Sequence, residues 1–193
     1  MQRSVRIIAS AALFAVSSTI AQEHPAIRVL PLTPQLPQAP AGYEWKSCVK
    51  GQISMLVPSG WTVQSRSGQN VVQCAASADF TASPTNFSGL EVGIFMKPAD
   101  ANVQTPEQYS TQSIENLHGK ATTFSQWTSE DQLFSYRNAN VVIGGDSATM
   151  SWALNRKTSS VVHLILTAPT DKWPSVEAAG GTMIQYVAVS TQL

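Results

Sequence analysis

QISMLVPSGWTV, at residues 52–63, is the stretch of sequence that decides the fold. Ile53, Met55 and Val57 share one side of the period-two pattern that is typical of a β-strand. A Pro-Ser-Gly turn follows, because proline donates no N–H to a strand ladder and glycine accepts turn geometry. Trp61 then opens a second strand, and a buried tryptophan covers on the order of 200 Å² of a core. The stretch therefore predicts a strand, a turn and a return strand that places its tryptophan over the core.

Further elements are predicted on both sides of this unit. We expect strands at residues 45–57, 61–64, 71–75, 90–97, 122–127, 132–136, 141–143, 148–154 and 161–168, and helices at residues 106–118 and 173–189. The first helix has Thr105 as N-cap and Pro106 at its first position, but its apolar stripe is thin, so we expect it to cover the sheet edge. The order predicts an α+β domain, with an antiparallel β-sheet and helices packed on it.

The strand at residues 148–154 has two unlike sides. Ala148, Met150, Trp152 and Leu154 alternate with small and polar residues. We expect the Met150 and Trp152 side to pack under the terminal helix as core. The opposite side, with Thr149 and Ser151, is then a smooth and shallow candidate face for a protein partner.

The N-terminal residues predict export. Arg3 and Arg6 precede an apolar run from residue 7 to residue 20, which is the layout of a secretory signal peptide at residues 1–21 that is cleaved before Gln22. The run is shorter than a membrane span needs. A Pro-rich extended tether is predicted at residues 22–42, and a single domain at residues 43–193. The protein is thus expected to be periplasmic or secreted, with no stable membrane anchor after cleavage.

The charge balance excludes two kinds of partner. The full chain has 12 basic and 12 acidic residues, so removal of two arginines with residues 1–21 leaves 10 basic and 12 acidic residues, a net charge of −2. A nearly neutral chain without a basic cluster argues against nucleic acid. It also argues against electrostatic binding to an anionic membrane surface.

Cys48 and Cys74 are the two cysteines of the chain. In an exported protein an even number of cysteines favours a disulfide, and two buried free thiols are the alternative. The histidines at positions 24, 118 and 163 are scattered, without the spacing of a zinc site. We expect His163, in the most apolar strand, to be a hydrogen-bonded core histidine. The sequence therefore predicts no catalytic residue, no metal and no cofactor.

Three segments resemble the PsbP-like fold family, which includes the lumenal extrinsic protein of photosystem II, the Ran-binding Mog proteins and bacterial exported proteins of the DcrB kind. These segments are the strand that ends in VPSGW at residues 57–61, the strand at residues 90–96 before the Thr105-Pro106 helix, and the last buried strand that leads into the helix at residues 171–189. The family contains accessory subunits, adaptors and chaperone-like binders without shared catalytic residues. The resemblance implies an exported accessory or binding protein whose partner is an envelope protein. A chaperone-like adaptor for apolar segments of envelope proteins and a hydrolase with an unidentified site are the alternatives.

Overall fold

The chain forms eleven β-strands and two α-helices in the part that the computed structural model describes, which is residues 29–32, 35–49, 51–68, 70–80, 87–96 and 105–190. In chain order the elements are β1 (Val29–Pro31), β2 (Tyr43–Cys48), β3 (Ile53–Pro58), β4 (Thr62–Ser67), β5 (Val71–Ser77), β6 (Gly89–Phe95), α1 (Pro106–Asn116), β7 (Lys120–Thr128), β8 (Phe134–Ile143), β9 (Asp146–Asn155), β10 (Val161–Pro169), α2 (Trp173–Gln185) and β11 (Val187–Val189). The predicted α+β class is confirmed. The predicted signal peptide and its cleavage site before Gln22 lie outside the described residues.

Seven strands form one large sheet in the order β4-β5-β6-β10-β9-β8-β7. Every neighbouring pair in it is antiparallel. Strand β10 is nearly all apolar because it lies at the centre, where Val161 and Val162 enter cores on opposite faces of the sheet. The β8–β9 hairpin turns at Gly144 and Gly145, whose φ angles of 59° and 104° suit glycine best.

Four strands form a small second sheet in the order β1-β11-β3-β2, in which β1 runs parallel to β11 and the other pairs are antiparallel. The chain therefore joins the fold before residue 43, earlier than the predicted start of the domain. Val29 is buried within the segment predicted to be a tether, and Leu32 N donates to Val189 O at 2.8 Å. The prolines of this segment are compatible with β1 because it lies at an edge of the sheet.

The turn at residues 58–61 carries the chain from the small sheet into the large one. The peptide N–H of Trp61 donates to Pro58 O at 3.1 Å, and Gly60 has a φ of 89°. Because β3 and β4 lie in different sheets, the predicted return strand is not the hairpin partner of β3. Trp61 packs against the core between the sheets, as predicted.

Cys48 and Cys74 form a disulfide, as predicted, with their Cα atoms 6.3 Å apart. Cys48 ends β2 of the small sheet, and Cys74 lies in β5 of the large sheet, so the bridge joins the two sheets. Both residues are buried.

Helix α1 covers the face of the large sheet that holds Met150 and Trp152, whose exposed fractions are 0% and 1%. The indole N–H of Trp152 donates to Ser113 Oγ of α1 at 3.2 Å. Met150 and Trp152 are core, as predicted, but the predictions that α2 covers them and that α1 covers a sheet edge are wrong. Strand alternation explains the difference, because α2 packs on the other face, over Leu166 of β10.

The terminal helix ends four residues earlier than predicted. Helix α2 stops at Gln185, and Val187–Val189 form β11 between β1 and β3. Two β-branched valines that are fully buried favour a strand over a last helical turn. Within the described residues, no helix has the length and apolar character that a membrane span requires.

Candidate functional site

Gly180 allows α2 to approach the large sheet closely. A Cβ atom at this position would overlap the side chain of Leu166 in β10. The buried face of the helix holds Val176, Gly180, Met183 and Ile184, as the sequence predicts. The main contacts of α2 are with β10, β6 and β3, and the strands from β9 to β7 continue beyond the helix.

A cleft of about 120 Å³ lies between α2 and these outer strands. The helix contributes Glu177, Gly181 and Ile184, whose spacing of three and four residues places them on one helix face. The strands contribute Thr123, Phe124, Ser125, Asn138, Ala139, Asn140, Thr149 and Leu166. Pockets for drug-sized ligands start at roughly 300 Å³, so this cleft has room for one side chain or a group of similar size.

Hydroxyl and amide side chains form the base of the cleft, and we call this set the polar floor. Its members come from one face of β7, β8 and β9, in two rows of directly opposed residues. The rows are Ser125–Asn138–Ser151 and Thr123–Asn140–Thr149. Exposure decreases from the edge strand β7, where Thr123 and Ser125 are exposed, to the buried Asn138 and Ser151. The cleft therefore deepens from the open edge of the sheet towards its middle.

A β-bulge in β7 orients the outer part of the polar floor. The register with β8 shifts between Ala121 and Thr123, so that Thr123 instead of Thr122 lies opposite Asn140. The extra residue, Thr122, donates from Oγ1 to Asn140 O at 3.2 Å. Bulges commonly redirect side chains beside functional sites, and this one places Thr123 on the cleft side of the sheet.

Two atoms of the polar floor, Asn138 Oδ1 and Ser151 Oγ, are buried and have no hydrogen-bond partner among the described residues. Asn138 is 9% exposed and Ser151 is 2% exposed. A buried polar atom without a partner costs about 1–3 kcal/mol, and native structures contain few of them. In the neighbouring row, by contrast, Thr149 Oγ1 donates to Asn140 Oδ1 at 3.1 Å. The polar floor therefore gives the fold less stability than apolar side chains at the same positions would give, which indicates a role other than packing.

The cleft has acidic character. Glu177 is exposed on α2, and it supplies the charged group among the described residues that line the cleft. The nearby cation, Arg137, lies on the opposite face of β8, with its guanidinium carbon 4.3 Å from the centroid of the Phe124 ring. The arrangement disfavours carboxylate and phosphate ligands, because a like charge at the rim repels them.

The two residues of the candidate partner face have different surroundings. Thr149 lines the cleft, whereas Ser151 is buried below it. The expectation that both residues lie on one accessible, shallow surface is wrong for Ser151, because this residue is at the inner end of its row and is only 2% exposed. Whether this face binds a protein stays a prediction.

The sequence prediction missed Asn138 and Asn140, although they left a signal. Residues 132–136 and 141–143 were expected as separate strands, whereas β8 runs without a break over Phe134–Ile143. Asparagine is depleted in strands, so the two asparagines suggest a loop. Two asparagines that share one side of a continuous strand, however, indicate a polar surface, and in this fold that surface is the cleft.

A second cleft, of about 450 Å³, opens at the start of α2 beside Trp61. Asp79 and Lys172, of opposite charge, both line it. The Ser77 hydroxyl in this cleft donates to Ser88 O at 2.8 Å, whereas Ser88 Oγ is buried and has no partner among the described residues. The described lining of this cleft does not contain two rows of opposed polar side chains, so we consider it a weaker candidate than the cleft over the polar floor.

His163 lies on the α1 face of the large sheet, away from the polar floor. It stacks on Trp152, with ring centroids 5.2 Å apart. Burial lowers the pKa of His163 from 6.5 to about 4. Its Nε2 atom is buried and has no hydrogen-bond partner in the described part of the chain. His163 therefore packs against the core, as predicted, but the predicted hydrogen bond is not formed by this nitrogen. The described residues also contain no group of three or more histidine, cysteine or acidic side chains that could hold a metal ion.

Comparison with solved structures identifies the fold. The solution structure of cyanobacterial PsbP (CyanoP) from Synechocystis sp. PCC 6803 matches with a TM-score of 0.54 and 16% identity, over 82% of this chain and 98% of that chain. The Saccharomyces cerevisiae Ran-binding protein Mog1p has a TM-score of 0.40 and 12% identity, over 72% of this chain and 83% of that chain. A protein of unknown function from Pseudomonas aeruginosa has a TM-score of 0.40 and 12% identity, over 72% and 92%.

The likeness to CyanoP confirms the PsbP-like fold that the sequence resembles. At 16% identity it concerns the fold alone. No family model matches the chain, and no curated protein matches it.

Proposed function

We propose that the protein is an exported, non-catalytic binding protein of the cell envelope, and that the cleft over the polar floor engages its partner. The observation that carries the proposal is the pair of buried atoms Asn138 Oδ1 and Ser151 Oγ, which have no partner among the described residues. Apolar residues would fill these positions at lower cost. A polar cleft that reduces stability is typical of a binding site.

Export is the second part of the proposal. It is supported by the signal-peptide pattern at residues 1–21 and by the Cys48–Cys74 disulfide, which suits an oxidising compartment. A closer relation to bacterial exported proteins of the DcrB kind belongs to the same proposal. Mass spectrometry of the exported protein should find Gln22 as its first residue, and an exported chain that keeps residues 1–21 contradicts this.

The character of the cleft favours a binding protein over the two alternatives. A chaperone-like adaptor needs a wide apolar groove, whereas this cleft is small and has a polar floor. A hydrolase needs a nucleophile beside a base; Glu177 is the carboxylate of the cleft, but it lies exposed on α2, and no histidine or aspartate is among the described residues that line the cleft. We therefore expect a defined polar group of a partner to occupy it.

A crosslinking experiment in cells tests the proposal. Ser125 and Gln126 are adjacent and exposed in β7, and they point to opposite faces of the sheet, so that only Ser125 lines the cleft. A photo-reactive amino acid at residue 125 should give a discrete adduct with an envelope protein, and the same amino acid at residue 126 should not. Equal adducts from both positions, or none from residue 125, contradict the proposal.

A charge variant gives an independent test of the same surface. Ser125→Arg places a long cation in the mouth of the cleft and should abolish the adduct formed from a photo-reactive amino acid at residue 149. Gln126→Arg is the matched control and should leave that adduct intact. Urea denaturation should show that both variants fold, since both positions are exposed.

A further inference from the structure

We propose that the cleft binds one glutamine-like carboxamide side chain, carried by an extended segment of the partner that lies beside strand β7. This inference rests on the proposed function, since it names the chemistry that the same cleft recognises. It follows from the size of the cleft, from the hydrogen-bonding groups on its floor and rim, and from the position of β7 at the edge of the large sheet.

The size of the cleft limits the ligand to one side chain. A volume of about 120 Å³ is below that of pockets for whole cofactors or drug-sized molecules. Leu166 of β10 and Ile184 of α2 close the inner end of the cleft with apolar groups. A side chain that enters from β7 meets the polar floor before it reaches them, so the ligand is a slender chain with a polar end.

The polar floor offers amide hydrogens. Asn138 lines the cleft although its Oδ1 is buried, so the NH₂ end of this amide is the part that faces the cleft. The Oδ1 atom of Asn140 already accepts from Thr149 Oγ1, which leaves the NH₂ group of Asn140 to donate. Two neighbouring amide donors suit a carbonyl oxygen of the ligand.

The rim offers an acceptor. The carboxylate of Glu177 suits an N–H donor and repels an anion, and the exposed hydroxyls of Thr123 and Ser125 both donate and accept. A primary carboxamide carries a carbonyl oxygen and an NH₂ group on one carbon, so it satisfies the floor and the rim together. A carboxylate lacks the donor, and an aliphatic side chain lacks both groups.

Strand β7 provides the place for the segment that carries this side chain. Within the described residues β7 is the last strand on this side of the large sheet, and most of its residues are exposed. An edge strand offers unpaired N–H and C=O groups to which an extended peptide can add. A strand added beside β7 lies about 10 Å from β8, which is two strand spacings, and a long side chain can cross the small Ser125 to approach Asn138.

Peptide binding to the exported full chain tests the inference. The probe is the blocked peptide Thr-Val-Thr-Gln-Thr-Val-Thr, compared with versions that carry glutamate or methionine at the centre, which change the charge or the polarity at nearly constant shape. In ¹⁵N NMR spectra, the glutamine peptide should shift the side-chain NH₂ signals of Asn138 and Asn140 and the backbone amides of β7. The other two peptides should bind about tenfold more weakly, since each leaves hydrogen-bonding groups of the site unpaired.

Two variants separate recognition from folding. Asn138→Leu removes the buried unpartnered oxygen, so it should keep or raise the urea midpoint, yet it should abolish the preference for glutamine. Glu177→Gln should raise the affinity of the glutamate peptide towards that of the glutamine peptide, because it removes the repelling charge. A variant Asn138→Leu that still prefers glutamine overturns the inference.

The outcomes distinguish this inference from the proposed function. Equal affinity of the three peptides, or shifts that exclude Asn138 and Asn140, overturns the carboxamide assignment, whereas a crosslink from residue 125 still supports a binding protein. If blocked glutamine without flanking residues binds as tightly as the glutamine peptide, and the peptide shifts no backbone amide of β7, the placement beside that strand is overturned.

Discussion

The disulfide between Cys48 and Cys74 should supply a large part of the stability of this fold. Its two cysteines lie in different sheets, and both are buried. Reduction of the bridge in the exported protein leaves every side chain in place except for two added hydrogens. Oxidised and reduced wild type therefore differ in the crosslink and in no other feature of the sequence.

The size of the effect follows from the loop that the bridge closes. The cysteines are 26 residues apart, and the chain-entropy relation gives about 3.5 kcal/mol for a loop of this length at 25 °C. For a domain of this size, a change of 1 kcal/mol shifts the melting temperature by roughly 2–4 °C. Reduction should thus lower the melting temperature by about 7–14 °C.

Urea denaturation, followed by tryptophan fluorescence with and without a phosphine reductant, measures the difference. The double variant Cys48→Ala, Cys74→Ala should unfold at the lower midpoint in both conditions, which excludes a direct effect of the reductant. Equal midpoints for oxidised and reduced wild type would refute the reasoning, as would two alkylatable thiols in the native exported protein.

Three further predictions concern the core. Burial favours the neutral form of His163, so between pH 6.5 and about pH 4 the unfolded chain binds a proton that the folded chain does not. As the pH is lowered through this range, the free energy of unfolding should therefore fall by up to about 3 kcal/mol. Urea titrations at pH 7 and pH 4 measure this loss, and the variant His163→Gln should not show it. Gly180→Ala drives a Cβ into Leu166 and should lower the free energy of unfolding by about 1–3 kcal/mol; an unchanged urea midpoint contradicts the close approach of α2. Ser113→Ala removes the acceptor of the Trp152 indole and should cost about 1–3 kcal/mol, whereas Gln112→Ala, at an exposed position of the same helix, should change stability little.

Local patterns in the sequence were sufficient for most elements, whereas the disulfide was predicted from the cysteine count and the expected compartment. Thr105 is the N-cap of α1, as predicted, with Gln108 N donating to Thr105 Oγ1 at 3.3 Å. The structure adds the reciprocal bond of a capping box, in which Thr105 N donates to Gln108 Oε1 at 2.7 Å. The alternation around Trp152 correctly predicts a core face. These features depend on neighbours within a few residues, which is the range over which sequence patterns act.

Pairing between distant segments could not be read from the sequence. The division into two sheets depends on β11 inserting between β1 and β3, and these segments are far apart along the chain. The residues next to Val187–Val189 do not show that β1 and β3 pair with this segment on both sides. The helical pattern of α2 therefore predicts a helix through residue 189. The sequence also does not show which helix covers Trp152, because α1 and α2 each have an apolar side that could pack on it.

The cleft and the core are two consequences of one alternation in β9. Strand side chains point to opposite faces in turn, so the sequence that places Met150 and Trp152 under α1 must place Thr149 and Ser151 on the cleft side. Trp152 determines which face lies under α1, because its indole N–H donates to Ser113 of that helix and its ring stacks on His163. The second face was free to be apolar, as it is in β10, where Leu164 and Leu166 cover it. The change from leucine in β10 to serine and threonine in β9, and then to asparagine in β8, occurs where the sheet extends beyond α2. The polar floor lies just past the helix, and the exposed parts of its side chains face the cleft in which a partner side chain has room to bind.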